Sequence, residues 1–313
     1  MSGFTITAGV SFSGGFTFTE APVENTAAWF GAGNPGPLSS VNRITFATDT
    51  ATAAVRGPLS EAVLGLAAAG NFTDGWFGGG YSSGNSRSRV DRITYATDTA
   101  TASVRGPLSV ARHFLAAAGN TTDGWFGSGY VLSSGARSTV DRITYATDTA
   151  TASVRGPLSL TRWSLAAAGN TTDAWFGGGE PGALSTVDRI TYATDTATAS
   201  VRGPLSLARY FPAATGNTTD GWFAGGQPGP FSTVDRITYA TDTATASVRG
   251  PLSGTRSRLA AAGNTTDGWF GGGEPGYLST VDRITWATDT ATASVRGPLS
   301  AERTFLAAAG GIQ

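Results

Sequence analysis

Short apolar and polar segments alternate along the chain in one pattern that recurs six times. A typical unit contains an alanine-rich segment, an Asn-Thr-Thr-Asp turn, a Trp-Phe-Gly segment, a loop, and two β-prone segments separated by Ala-Thr-Asp-Thr. Apolar and polar positions alternate in residues 140–145, and residues 151–154 are equally β-prone. No segment keeps a 3.6-residue period over the roughly ten residues that a helix needs, so each unit predicts four short strands.

The spacing of the units identifies the architecture. The tripeptide Arg-Ile-Thr begins at positions 43, 92, 142, 189, 236 and 283, so successive units lie 47 to 50 residues apart. Repeats of about 40–50 residues with four strands each are typical of propeller blades. The sequence therefore predicts an all-β fold, a six-bladed β-propeller built from four-stranded blades.

The two ends of the repeat complete each other. The first unit starts at residues 26–30 without an alanine-rich segment, and the last unit ends with such a segment at residues 306–310. Because an open strand edge invites unwanted pairing, we expect the C-terminal strand to pair with the N-terminal blade and close the ring. These boundaries predict a propeller over residues 23–313 and a separate arm over residues 1–22.

The arm has an alternating pattern of its own that predicts two or three short strands. Its apolar residues are separated by small or polar ones, and they are Phe4, Ile6, Val10, Phe12, Phe16 and Phe18. Such strands would either pack on the outer edge of the propeller or add to the sheet of a partner protein. We favour attachment to a partner, because a propeller closed by its own ends does not need an arm.

Composition excludes several kinds of chemistry. All 21 basic residues are arginine, there is no cysteine, and His113 is the one histidine. A disulfide scaffold, a thiolate or multi-histidine metal site, a cysteine nucleophile and a catalytic lysine are therefore ruled out, and no metal or cofactor is expected. A net charge of -1 argues against nucleic-acid binding. The sequence shows no signal-peptide pattern and no apolar run long enough to span a membrane, so we expect no membrane insertion.

The repeat itself accounts for most of the arginines. Six precede Ile-Thr, six precede Gly-Pro and five follow Pro-Leu-Ser, which makes seventeen of the 21. We expect the strand arginines to bind turn aspartates such as Asp98 or Asp123, or the carbonyls of a neighbouring strand or blade. One carboxylate per turn is too few for calcium, so the Asn-Thr-Thr-Asp segments are interpreted as Asx turns.

The unit resembles a kelch repeat. The resemblance rests on a glycine-ended aromatic strand at residues 175–179, a strand with a late aromatic at residues 189–192, and Arg209 after Pro-Leu-Ser. It covers about residues 26–310, but Val201 stands where kelch repeats usually have tryptophan in the fourth strand. The resemblance implies that the alanine-rich strand is innermost. Sterics agree, since only small side chains fit near the axis, and the Trp-Phe pairs are then expected between blades.

A longer segment carries a second resemblance. The segment Asp-Thr-Ala-Thr-Ala-Ser-Val-Arg-Gly-Pro-Leu-Ser is similar in sequence to kelch-like repeat proteins from the virions of marine bacteriophages. That resemblance implies a virion location and a structural or host-contacting role.

One face of the predicted propeller differs from blade to blade. The second-to-third loops and the fourth-to-first connections vary, and up-and-down topology places both on one face, called here the variable face. In kelch proteins this pair of connections commonly forms the ligand surface. The alternative is neutral drift in solvent loops, which would rarely collect so many aromatic residues. The candidate binding residues are Tyr81, Arg87, Arg89, His113, Tyr130, Arg137, Trp163, Tyr210, Phe231, Arg258 and Tyr277.

Two functions fit this pattern, and neither is enzymatic. Copper oxidases of propeller fold need histidine ligands and a Tyr-Cys crosslink, and the sialidase Asp-box does not match the turns of this chain. The favoured function is a phage virion structural or adhesion protein, which would bind other virion proteins through the arm and a host surface glycan or protein through the variable face. The alternative is a soluble, extracellular, carbohydrate-binding lectin. An engineered repeat is disfavoured by the unequal unit lengths.

Overall fold

The computed structural model describes residues 26–310, which form a six-bladed β-propeller. Each blade is a four-stranded antiparallel sheet, and in blades 2 to 6 the strands follow chain order from the axis outward. The predicted all-β fold and blade number are confirmed. The predicted arm, with Phe4, Ile6, Val10, Phe12, Phe16 and Phe18, lies outside the described residues. No helix in the described part of the chain is long and apolar enough to cross a membrane.

The strands are short. Blade 1 contains β1 (Ala27–Gly31), β2 (Val41–Thr45) and β3 (Ala54–Arg56). Blade 2 contains β4 (Ala67–Gly70), β5 (Asp74–Gly78), the hairpin β6 (Tyr81–Ser82) and β7 (Asn85–Ser86), β8 (Val90–Thr94) and β9 (Ser103–Arg105). Blade 3 contains β10 (Ala116–Gly119), β11 (Asp123–Gly127), the hairpin β12 (Tyr130–Val131) and β13 (Gly135–Ala136), β14 (Val140–Thr144) and β15 (Ser153–Arg155).

The other three blades lack such hairpins. Blade 4 contains β16 (Ala166–Gly169), β17 (Asp173–Gly177), β18 (Val187–Thr191) and β19 (Ser200–Arg202). Blade 5 contains β20 (Ala213–Gly216), β21 (Asp220–Ala224), β22 (Val234–Thr238) and β23 (Ser247–Arg249). Blade 6 contains β24 (Ala260–Gly263), β25 (Asp267–Gly271), β26 (Val281–Thr285) and β27 (Ser294–Arg296), and the chain returns to blade 1 with β28 (Ala307–Ala309). A single 3-10 turn follows each third strand: Phe46–Thr48, Tyr95–Thr97, Tyr145–Thr147, Tyr192–Thr194, Tyr239–Thr241 and Trp286–Thr288.

The ring closes as the sequence predicts. Strand β28 pairs antiparallel with β1, with Ala309 opposite Trp29 and Ala307 opposite Gly31. Blade 1 therefore contains strands from both ends of the described chain.

Residue size explains the radial order of the strands. The alanine-rich strands are innermost and line a narrow axial cavity of about 90 Å³. The tryptophans of the second strands are buried between blades, where each stacks on the aromatic residue that follows the third strand of the next blade. Trp76, for example, stacks on Tyr145 with ring centroids 3.8 Å apart. The apolar core of the described residues is accordingly divided into six clusters, one at each blade interface.

One aspartate in each third-to-fourth turn joins its blade to the preceding one, and we call this contact the latch. Asp148 of blade 3 accepts hydrogen bonds from Trp76 Nε1 at 2.8 Å and Arg92 Nη1 at 3.0 Å, and Arg105 Nε lies 3.4 Å away. Asp49 receives the matching groups of blade 6 and so closes the ring of latches. The predicted pairing of strand arginines with turn aspartates is confirmed. The latch aspartates are Asp49, Asp98, Asp148, Asp195, Asp242 and Asp289.

A second set of ion pairs is fully buried. The arginine after Pro-Leu-Ser reaches the aspartate of the next blade's third strand, as in the 3.0 Å pair between Arg209 and Asp235. At the entry to blade 1 the arginine is Arg303, but Asn42 stands at the aspartate position, and Arg303 instead donates to the carbonyls of Ala32 and Ser40. Burial without a facing carboxylate lowers the pKa of Arg303.

The first-to-second turns are Asx turns, as predicted. The backbone N–H groups of Thr73 and Asp74 each donate to Asn71 Oδ1 at 2.9 Å. The Asp74 carboxylate accepts from the hydroxyls of Thr73 and Thr94, so it holds the turn on the third strand. Within residues 26–310 no group of three or more His, Asp or Glu side chains is placed to hold a metal ion.

Candidate recognition site on the variable face

The second-to-third loops and the connections between blades form one continuous backbone surface. Residue 63 of the first connection pairs with Leu38 in the loop of blade 1, and the next residue, Leu64, pairs with Tyr81 in the loop of blade 2. The same bridging recurs around the face, as at Arg162 with Arg137 and at Trp163 with Glu180. Each connection is therefore held between the loops of two neighbouring blades, and the face is a fixed platform.

A closed ring of six backbone hydrogen bonds lies at the centre of this face. Each member donates its N–H to the carbonyl of the member before it, at N···O distances between 2.6 and 3.0 Å. The members are Gly65, Phe114, Ser164, Phe211, Arg258 and Phe305.

Five of these six residues are not glycine, yet all six have a positive φ between 54° and 65°. A left-handed backbone costs a residue with a Cβ about 1 kcal/mol, and such strain is typically held in place where a site is formed. The rings of Phe114, Phe211 and Phe305 contact one another with centroids 5.1 to 5.3 Å apart and cover the axis.

An aromatic arc borders this centre on blades 2 to 4 and consists of Tyr81, His113, Tyr130 and Trp163. His113 contacts Tyr81 at 5.4 Å and Tyr130 at 5.6 Å, and Tyr130 contacts Trp163 at 5.3 Å between ring centroids. Burial lowers the pKa of His113 to about 4, so its imidazole is neutral at pH 7. Its Nδ1 forms a 3.0 Å hydrogen bond with Ser86 Oγ, which fixes the ring within the arc.

A polar arc occupies blades 4 to 6 and consists of Glu180, Gln227, Ser257, Arg258 and Glu274. Glu274 Oε1 accepts hydrogen bonds from Gln227 Nε2 at 3.3 Å and Ser257 Oγ at 3.1 Å, and it also pairs with Arg258. The Arg258 guanidinium lies over the rings of two central residues, with distances of 4.9 Å to Phe211 and 4.7 Å to Phe305. All three contacts are made to Oε1 of Glu274.

Glu180 differs from Glu274 because its carboxylate has no hydrogen-bond partner among residues 26–310. Partial burial raises the pKa of Glu180, and the positive charge of Arg258 opposes that rise. Its backbone is paired directly with that of Trp163, so the two arcs meet at this pair of residues.

The structure brings together about half of the predicted site residues. Tyr81, His113, Tyr130, Trp163 and Tyr210 surround the central ring, and Arg258 is a member of it. The others lie farther out. Arg87 and Arg89 pair with Glu61 at 2.7 and 3.7 Å, so both guanidinium groups already have an ion-pair partner within the propeller.

The remaining three candidates also have partners of their own. Arg137 donates to Ser134, and the Phe231 ring lies 5.8 Å from the Arg209 guanidinium. Tyr277 is 41 % exposed, and its hydroxyl accepts a 3.5 Å hydrogen bond from Asn34. None of these belongs to the aromatic or polar arc.

Sequence reasoning identified Arg258 but missed the rest of the polar arc, although the repeat contains a signal for it. Glu180, Gln227 and Glu274 directly follow two small residues at the ends of second strands, the position that Tyr81 and Tyr130 occupy in blades 2 and 3. A position-by-position comparison of the units would have placed all five in one ring.

No protein-family model matches the sequence, and no curated protein matches it either. The β-propeller fold rests on the strand pairing described above.

Proposed function

We propose that this protein is a non-enzymatic recognition protein that binds its partner through the variable face. The observation that carries this proposal is a contrast within the propeller. The six interfaces between blades are nearly identical, whereas the residues of the variable face differ from blade to blade. On that surface the aromatic and polar arcs are adjacent and rigidly held, and aromatic residues with adaptable polar neighbours are typical of recognition surfaces.

The position of the chain ends supports attachment on the opposite side. Strand β1 begins and β28 ends at the face that carries the Asx turns and the latches, so the described chain starts opposite the variable face. An arm at residues 1–22 that holds a partner would leave the recognition face free. We therefore propose that the arm attaches the protein to an assembly, and that Phe4, Ile6, Val10, Phe12, Phe16 and Phe18 supply its apolar contacts.

We favour a phage virion as this assembly, because the repeat resembles the kelch-like repeats of phage virion proteins. In this form of the proposal the protein is a virion structural or adhesion component that binds other virion proteins through the arm and a host surface glycan or protein through the variable face. The aromatic arc also supports a second candidate, a free lectin, because partly exposed aromatic rings such as Trp163 are suited to stacking on sugars.

The attachment part is tested by deleting residues 1–22. The truncated chain is expected to keep its melting temperature and to be missing from purified phage particles, whereas the full chain is present at a stoichiometric copy number by quantitative mass spectrometry. A collapsed melting temperature would show that the arm belongs to the propeller fold. Absence of the full chain from particles would exclude the virion role and leave the free lectin.

The recognition part is tested by binding of the labelled full chain to host cells. Alanine at Tyr130 and Tyr210 is expected to abolish binding, while alanine at Thr121 and Thr218, two exposed positions in the Asx turns, is expected to leave it unchanged. Equal binding by both pairs of variants would contradict the assignment of the variable face.

A further inference from the structure

We infer that the junction of the aromatic and polar arcs is a binding subsite for a neutral pyranose sugar, which stacks on Trp163 beside Tyr130 and donates hydroxyl hydrogen bonds to Glu180. This inference rests on the proposed function and specifies its ligand class.

The backbone places the stacking ring and the acceptor side by side. Trp163 N donates to Glu180 O at 3.1 Å, and Glu180 N donates to Trp163 O at 2.8 Å. Residues paired in this way project their side chains to the same side of the sheet, with Cβ atoms about 5 Å apart. A sugar lying on the indole would therefore have its ring hydroxyls next to the carboxylate.

Trp163 stands apart from the other tryptophans. It is partly exposed, whereas seven tryptophans are buried at the blade interfaces: Trp29, Trp76, Trp125, Trp175, Trp222, Trp269 and Trp286. Packing explains those seven, because each occupies a repeat position whose side chain is buried between two blades. Trp163 occupies the place of His113 and Tyr210 in the neighbouring blades, so packing of the repeat does not require an indole there.

The indole of Trp163 provides one flat apolar surface at the junction. Trp163 contacts Tyr130 at 5.3 Å and Phe114 at 5.6 Å, with interplanar angles of 57° and 31°. A ligand that lies parallel to the indole therefore meets the Tyr130 ring at an angle, as a side contact. The indole is thus the stacking platform, and Tyr130 borders it.

The polar side chains favour a neutral ligand that is rich in hydrogen-bond donors. Three donors converge on Glu274 Oε1, whereas the Glu180 carboxylate receives none from residues 26–310, so Glu180 supplies the carboxylate with both oxygens free at the junction. The two carboxylates and the Arg258 guanidinium sum to a net negative charge, which disfavours phosphate, sulfate or carboxylate ligands. Vicinal hydroxyls match a free carboxylate, and the C–H face of a sugar matches the platform.

The first experiment uses Trp163 as its own reporter. The purified full chain is titrated with glucose, galactose, mannose and N-acetylglucosamine, and tryptophan emission and acrylamide quenching are recorded. At least one sugar is expected to shift the emission and to protect the exposed indole from quenching. The response is expected to vanish in Trp163→Phe, since the buried tryptophans are out of reach of the ligand.

The second experiment measures affinity on an array of immobilised neutral, anionic and amine-bearing glycans. Glu180→Gln is expected to weaken binding to a neutral glycan about tenfold, because a charge-assisted hydrogen bond is lost while the side-chain volume is kept. Trp163→Ala is expected to abolish binding. Glu302→Gln, the same change at an exposed carboxylate outside both arcs, is the matched control and is expected to leave affinity unchanged.

Three outcomes would overturn the inference: binding restricted to anionic or amine-bearing glycans, unchanged affinity in both Glu180→Gln and Trp163→Ala, or no glycan binding at all. If host-cell binding still depends on Tyr130 and Tyr210 in any of these cases, the proposed recognition function stands without the sugar. Loss of that dependence as well would overturn both.

Discussion

The latch aspartates show why the side chains that bind them are arginines. Arg92 directs Nη1 to Asp148 of the next blade at 3.0 Å and Nε to Asp74 of its own blade at 3.5 Å. A planar guanidinium with donors in fixed directions can bind two carboxylates at once, whereas the single ammonium of lysine cannot do so with the same geometry. The strand positions of the repeat therefore require arginine, which explains much of a composition without lysine.

The pair Arg142 and Asp195 provides a test of the latch. Their side chains lie 3.0 Å apart across a blade interface, and the carboxylate is almost fully buried. In a double-mutant cycle with Arg142→Gln and Asp195→Asn, we expect a coupling free energy of about 1–2 kcal/mol from urea unfolding. Arg142→Gln combined with Asp289→Asn, in a different latch, is expected to be additive. Additivity in the first pair would show that the contact adds nothing to stability.

His113 predicts a pH-dependent contribution to stability. Its folded pKa of about 4 lies below the ordinary value of 6.5 for histidine. Between these two values the unfolded chain binds a proton that the folded chain does not, so the free energy of unfolding falls as the pH decreases from 6.5 towards 4.

His113→Gln removes this titration, and the variant is expected to lose about 2 kcal/mol less stability than the wild type between pH 7 and pH 4.5. Chemical denaturation at both pH values measures the difference, and between pH 7 and pH 8.5 the two proteins are expected to change in parallel. Parallel behaviour down to pH 4.5 would mean that the imidazole is accessible to protons in the folded state.

At the level of the strand, the glycine of each Arg-Gly-Pro segment lets the fourth strand approach the next blade. The N–H of Gly156 donates to the carbonyl of Asp195 at 2.8 Å, and a Cβ at Gly156 would lie 1.9 Å from the carbonyl oxygen of Ala197. Backbone thus packs on backbone at the outer part of the interface. This contact recurs in all six blades at Gly57, Gly106, Gly156, Gly203, Gly250 and Gly297.

Gly156→Ala is therefore expected to destabilise the protein by about 3 kcal/mol, because the blade interface must open to accept the methyl group. Gly254→Ala is the control, since a Cβ there meets no atom within 4 Å and the residue has no positive φ. The control is expected to leave stability unchanged or slightly raised, as measured by thermal unfolding. A similar small effect at Gly156 would contradict the close packing.

For the whole molecule, stability depends on closure of the ring. The contacts that join blade 6 to blade 1 include the pairing of β28 with β1, the latch at Asp49, and the hydrogen bond from Gly65 N to Phe305 O in the central ring. Loss of β28 would leave β1 as an open strand edge at the axis and would leave Phe305 of the central ring at the end of the chain.

A chain that ends at residue 305 is therefore expected to lose the single cooperative melting transition and to associate through the open edge of β1. Removal of residues 311–313 alone serves as the length control. Calorimetry and size-exclusion chromatography measure the two effects. An unchanged transition in the shorter chain would show that five complete blades suffice.

Much of the propeller could be predicted from the sequence, because the information is local and repeated six times. Strand number, the innermost position of the alanine segments, ring closure and the variable face all follow from residue size, alternation and the order of the segments. The sequence also predicted that strand arginines bind turn aspartates. The sequence did not show that a latch partner such as Asp148 lies in the following blade.

From the sequence, the candidate site could be assigned only to the variable face, and the residues that lie next to one another on that face could not be predicted. The tertiary structure decided that Arg87 and Arg89 bind Glu61 at the rim, and that Glu180 lies beside Trp163 with its carboxylate free. These contacts join residues of different loops, and the curvature of the closed ring sets their distances. Local sequence therefore determined which residues differ between blades, whereas only the closed ring determined which of them meet.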